Sequence, residues 1–329
     1  MFVTSDFPSK ILAYKPATIL IHKRWVQLTQ NARMNKIFAF LITILLFGIQ
    51  KISAQNYLNY YETINKAEIE SLDLNFKASD SIYQIAFELV EKPFKEDFLL
   101  ASINSEKLND NQKTFEYLKK GISNGLTLKR IKKTLTKFKK SKEWKALNKE
   151  YNSIRENHLK TLNLPLRKEI KKMLEKDQAS RHPIFGSGKK SKKIDNYNFN
   201  RLLEIINENG GKWTGFSTIG ETLPKGKYDV TGNIALMILH FDKEQIEQLK
   251  PYMLKAVIEG EMYPYHFARA IDYKNIFKCQ IYGTYLGGKY ITEICDCENA
   301  EKERKKIGFE PIAEYYRKRD SKFKCAEKK

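Results

Sequence analysis

Three stretches of this chain put polar or titratable groups where packing prefers carbon. From Leu166 to Arg181 an apolar stripe runs through Leu166, Ile170, Met173 and Leu174, and helical spacing carries it on to Asp177 and Arg181. Asp and Arg at i and i+4 can pair, and burying two charges is costly unless they do. The spacing is read equally as a salt bridge at a helix end and as a binding site there. His240 closes the run Val230 to Phe241, which is apolar on nearly every side. Most histidines so placed are satisfied core or helix-end groups, yet imidazole is also suited to acid–base work near neutral pH. Gln280, Tyr282 and Thr284 recur at period two, the pattern of one face of a strand.

Two chemistries compete for these groups. One is a small hydrolase-like enzyme with His240 as general acid or base and Asp177, Arg181, Asp272, Gln280 and Tyr282 positioning a polar substrate. The other is a binding module that holds a ligand, or a protein along helical repeats, without chemistry. No nucleophile motif and no metal cluster supports the enzyme, and no cofactor is expected; the binding module is favoured slightly, because helical repeats bind partners. Asp242 does not extend His240 into a metal pair, because i and i+2 on a helix face apart. It reads instead as the cap of a helix over 243–259, with Gln245 completing a capping box. Gly186-Ser187-Gly188-Lys189-Lys190-Ser191 imitates a phosphate loop but lacks its spacing and its preceding strand, and is read as part of a flexible loop over 182–197.

The elements that would position these groups are mostly helices. Cys279 to Ile291 is the exception and is predicted to form a β-hairpin turning at Gly287-Gly288. Residues 56–124 read as paired amphipathic helices, with Asn109-Asp110-Asn111 as a break and cap. Lys129 to Lys149 is basic but keeps a stripe of Ile131, Leu135, Phe138, Trp144 and Leu147. Residues 151–165 read as a linker, with Pro165 suited to a helix start. Further helices follow from Phe199, over 243–259, from Tyr265 to Phe277 and from Asn299 to Ile307, and one starts at Pro311. Residues 318–329 are a charged tail. The predicted class is mainly α, with an N-terminal helical-hairpin region and a C-terminal helical domain carrying one small hairpin.

The first residues are read separately. Met34-Asn35-Lys36 opens a basic start, followed by the apolar run Ile37 to Ile49 and small residues at Ser53-Ala54. That run is shorter than the ~20 residues of a membrane span and matches a secretory signal peptide over 34–54, with 1–33 as upstream over-extension. An uncleaved anchor is the alternative. Export to the periplasm or beyond would permit disulfides among Cys279, Cys295, Cys297 and Cys325. Cys295 and Cys297 are too close for an easy mutual bridge, so their partners would be Cys279 or Cys325. The chain carries a net charge of +20 with 59 Lys and Arg, which permits contact with anionic surfaces. No nucleic-acid motif accompanies that charge, so a nucleic-acid partner is not expected.

Two resemblances follow from these motifs. Ala101 to Leu108 and Asn111 to Gly125 resemble one tetratricopeptide hairpin and a degenerate end, within a region over 55–150. That implies a protein partner. Asp177-Gln178-x-x-Arg181, His240-x-Asp242, Asp272, Gln280-x-Tyr282-Gly283-Thr284 and Arg304-x-x-x-Gly308-Phe309 together resemble a bacterial family of domains of unknown function over about 166–317. The resemblance carries no activity. It implies that Asp177, Gln178, Arg181, His240, Asp272, Gln280, Tyr282, Thr284 and Arg304 share one pocket. The chain departs from that pattern at Leu239, Tyr273, Tyr285 and Glu303, where the family carries Gln, Arg, Gln and Arg, and this depletion of the polar set also favours the binding module.

Overall fold

A computed structural model describes residues 56–181, 187–221, 233–275, 278–286 and 293–326. The signal-peptide and over-extension readings lie outside them. The described residues belong to one compact unit, and they are mainly helical. In chain order the helices are α1 (56–72), α2 (Phe76–Glu88), α3 (Lys95–Lys107), α4 (Asn111–Ser123), α5 (Leu128–Thr134), α6 (Lys142–Lys160) and α7 (Leu164–Ser180). Then come α8 (Gly188–Glu208), α9 (Phe216–Ile219), α10 (Asn233–Ile238), α11 (Lys243–Ile258), α12 (Pro264–Lys274), α13 (Cys297–Lys306) and α14 (Ile312–Arg317).

The N-terminal helices begin where their caps require. Asn109 takes a φ of +58° to end α3, and Asp110 accepts from the Lys113 N–H at 2.9 Å to start α4. α3 and α4 therefore pack as an antiparallel hairpin. Leu118, Ile122, Ile131, Leu135, Phe138 and Leu147 bury a satellite core beneath them. The basic stretch is not one helix: α5 ends at Thr134, and a 3-10 turn over Phe138–Lys140 redirects the chain into α6. Residues 151–160, expected to be a linker, continue α6. The cause is the persistence of its stripe, since Tyr151 and Ile154 pack on the satellite core.

The main core joins the two ends of the chain. Tyr60, Tyr61 and Ile64 of α1 share it with Met253 and Val257 of α11, Phe267 and Ile271 of α12, and Tyr315 and Tyr316 of α14. The Tyr61 hydroxyl donates to the Val257 carbonyl at 2.7 Å. Gly260 ends α11 at a φ of +75°, and a Cβ there would sit 2.1 Å from the Tyr57 ring. Only glycine lets α1 lie this close.

Two further expectations are corrected. The stretch 182–197 is not a loop throughout: Ser187 caps α8 by accepting from the Lys190 N–H at 3.2 Å, so the helix begins eleven residues before Phe199. No strand occurs among the described residues, and the Gly287-Gly288 turn lies outside them. Residues 280 and 294 pair as a lone parallel bridge, as do 294 and 325. Gly283, at a φ of +73°, breaks the extended backbone on which period-two alternation depends. Disulfides Cys279–Cys295 and Cys297–Cys325 tie these segments together.

Candidate functional site

The C-terminal end of α7 brings the first set of groups together. Ile170, Met173 and Leu174 bury one face of the helix, and Asp177 continues that face with no exposure. A carboxylate held there must have partners. Gln178 donates to it at 2.6 Å, Arg181 at 3.2 Å, and His240 brings its Nδ1 to 2.9 Å. The Arg181 Nη2 also bonds Asp195 of α8. The Ser180 hydroxyl donates to the Asp177 carbonyl at 2.7 Å, and Ser191 donates to the Ser180 carbonyl at 2.9 Å. These bonds lock α7 to α8 and set the distance between the two aspartates.

His240 reaches this group from the turn after α10. Its N–H donates to the Met237 carbonyl at 2.9 Å. Asp242 follows it and is committed to the capping box of α11: it accepts from the Gln245 N–H at 2.9 Å while Gln245 Oε1 accepts from the Asp242 N–H at 2.9 Å. Gln245 also bonds Asn196 at 3.1 Å, which fixes α11 beside α8. From α12, Lys274 donates to the Leu239 carbonyl at 2.8 Å. Burial pulls this amine down to about 8, and nearby Arg181 adds to the effect against Asp242 and Asp195.

The chemistry of the cluster follows from its bonds. A carboxylate only accepts, so with Asp177 ionised the His240 Nδ1 carries the proton, and in the neutral ring Nε2 is the nitrogen that keeps a lone pair. The His240 side chain is 19% exposed and that of Arg181 26% exposed, so both reach the surface. Oxygens of Asp177 and Asp195 and a ring nitrogen of His240 lie within 4.8 Å of one another. That triad has metal-ligand chemistry, but Arg181 already bridges its two carboxylates with a guanidinium. The Arg181 Nε is buried with no partner among the described residues.

The second set surrounds Asp272. This buried carboxylate accepts from the N–H groups of Ile281, Tyr282 and Thr284 at 2.7, 2.8 and 2.9 Å, and from the Thr284 hydroxyl at 2.8 Å. Burial pushes the Asp272 carboxyl above its usual range, and these four donors pull it back. The Gln280 amide closes the same loop, donating to the Tyr285 carbonyl at 3.1 Å and accepting from the Tyr285 N–H at 2.6 Å. Arg304 supports it from below. It donates to the carbonyls of Tyr282 and Glu310 and lies 3.9 Å from the Phe309 ring centre and 4.9 Å from that of Tyr315. Desolvation draws its guanidinium down to about 10.

Asp177, Gln178, Arg181 and His240 thus form one bonded cluster, while Asp272, Gln280, Tyr282, Thr284 and Arg304 form another, largely through backbone bonds. Two cluster members were missed from the sequence. Asp195 stood in a stretch read as loop, although 195, 199, 202 and 206 continue one helical stripe. Lys274 has no signal in a chain so rich in lysine. No family model, no curated protein and no solved structure matches this chain.

Proposed function

We propose that the protein is an exported binding module that takes a small polar ligand at His240. The observation carrying this reading is the 2.9 Å contact from His240 Nδ1 to the buried Asp177, which fixes the ring and leaves Nε2 to accept from a ligand. The Lys274 amine beside Leu239 supplies a positive group for an anionic part of the same molecule. Export is supported by the apolar run after Lys36 and by the pairing of all four cysteines, since disulfides persist in oxidising compartments. The α3–α4 hairpin supports a tetratricopeptide-like region as the surface for a protein partner.

A second reading, hydrolysis with His240 as general base, draws on the same aspartate–histidine pair. The bridged cysteines leave no thiol nucleophile, so on this reading His240 would activate water or a hydroxyl. A thermal-shift screen with a metabolite and metal library tests the binding reading. At least one polar compound should raise the Tm of the wild type and fail to raise that of His240→Ala. Stabilisation that survives His240→Ala for every compound would sink it. Turnover of chromogenic esters or phosphates, lost in His240→Ala, would favour the hydrolase instead.

A further inference from the structure

A separate cavity of about 290 Å³ lies among α1, the start of α3, the start of α12 and the segment 308–319. Its lining is strongly aromatic, with Tyr61, Phe94, Tyr263, Tyr265 and Phe309, although Arg304 already lies against Phe309 and Arg269 lies 5.7 Å from the Tyr265 ring centre. Asp97 also lines it and is only 7% exposed. Among the described residues, the Asp97 carboxylate receives its hydrogen bond from the Tyr60 hydroxyl. That hydroxyl is fixed in turn by accepting from the Phe94 N–H at 3.0 Å.

The resident cations are committed elsewhere. Lys318 is held between Glu68 and Glu310. Arg319 bonds Glu310 at 3.0 Å and lies 3.7 Å from the Tyr315 ring centre. Lys95, on the same helix as Asp97, faces Glu221 at 3.7 Å and Glu96 at 3.8 Å. His266 lines the cavity as a neutral ring, since burial pulls it down to about 4. Lys318 and Arg319 are therefore matched by Glu68 and Glu310, and among the described residues Asp97 has no ionic partner. Burial pushes the Asp97 carboxyl well above its usual range, and the neighbouring Glu68, Glu221 and Glu96 push it further.

We propose that this cavity binds a small organic ammonium ion, with its charge against Asp97 and its alkyl groups against the aromatic rings. Aromatic faces attract a desolvated cation, and a buried carboxyl is favoured in its ionised form when a cation pairs with it. The volume is at the lower end for ligand cavities, which suits a small organic guest, since a cavity of about half that size holds benzene. A bare metal ion fits the lining poorly, because Glu68 and Glu310 are already paired with Lys318 and Arg319, and hard cations take roughly six or more oxygen ligands. The site is distinct from the His240 cluster and does not depend on the reading given to it.

The full chain would be titrated by calorimetry at pH 7.5 with butylammonium and tetramethylammonium chloride. Potassium chloride at equal ionic strength and butanol serve as controls. Saturable binding of at least one ammonium ion is expected, with no saturable binding of either control. Asp97→Asn keeps the shape and an acceptor for Tyr60, and should weaken that binding at least tenfold. Tyr265→Leu, which removes one ring and leaves Asp97 in place, should weaken it at least threefold and gives a readout if Asp97→Asn does not fold. No saturable ammonium binding, undiminished binding in the folded variants, or an equal response to potassium would each overturn the proposal.

Discussion

The clusters around Asp177 and Asp272 are built from similar residue types and differ in what the carboxylate binds. Asp272 bonds chiefly to backbone: three N–H groups of one loop converge on it. Asp177 bonds to side chains, and two of them, Arg181 and His240, reach solvent. A carboxylate that collects backbone N–H groups dictates chain path, because those donors have nowhere else to go once buried. A carboxylate that orients side chains at the surface leaves their outer atoms open to a ligand. The contrast assigns folding to Asp272 and, on the proposed reading, recognition to Asp177.

Replacement of Asp272 should therefore have the largest effect on stability. Asp272→Ala strands three N–H groups and a hydroxyl in a buried loop, and each unsatisfied group costs ~1–3 kcal/mol. A loss of about 4 kcal/mol or more in urea unfolding is expected, since water can refill part of the space. A loss under about 1 kcal/mol would mean that the loop holds its own path, and the contrast would fail. The disulfides bound the same region. Cys279–Cys295 spans 16 residues and Cys297–Cys325 spans 28, so loop entropy gives each about 3 to 4 kcal/mol. Alanine at both positions of either bridge should lower the unfolding midpoint accordingly, measured against the oxidised parent.

Asp177→Ala should cost less. Removing one partner of a buried ion pair commonly costs ~3–5 kcal/mol because a lone charge stays behind. Here Arg181 keeps Asp195 and is partly exposed, so about 2 kcal/mol is expected. The sharper readout is the ring itself. Without Asp177 the proton is no longer fixed on Nδ1, and the nitrogen NMR shifts of His240 should move toward the other tautomer. Unchanged shifts would detach the imidazole from Asp177.

The sequence revealed the Asp177 cluster better than the loop that Asp272 governs. Helical periodicity is a local rule, so the stripe through Ile170 and Leu174 could be followed to Asp177 and Arg181 without knowing the fold. The Asp242 capping box was legible for the same reason. The hairpin reading failed at Gly283, because period-two alternation assumes an extended backbone and a φ of +73° ends it. Nothing local announces that Asp272, nine to twelve residues earlier, gathers that loop's N–H groups. The extent of α8 was hidden by Gly and Lys at its start. Its cap at Ser187 and its packing on Ser180 override their weak signal. Cation placement was least legible, as Lys274 shows: desolvation is set by helices α10 and α12 meeting, not by its neighbours in sequence.

Lys274 supplies the smallest and most specific test of the contrast. Its amine falls from the usual 10.5 to about 8, chiefly through burial. The folded protein therefore holds fewer protons than the unfolded chain between those values. Stability linked to this group rises as pH climbs from 8 to 10.5, and below pH 8 its penalty is constant. The full shift would exceed 3 kcal/mol, but the side chain is only partly buried, and solvent screening reduces the expected effect to about 1 kcal/mol. Lys274→Met should flatten the stability–pH curve over this range by that amount relative to wild type, the other lysines being common to both. The same depressed amine should react ahead of exposed lysines with trinitrobenzenesulfonate at pH 8, as read by peptide mapping. Parallel curves and average reactivity would show that the His240 edge holds its cations no differently from the rest of the surface, and would remove Lys274 from the proposed recognition site.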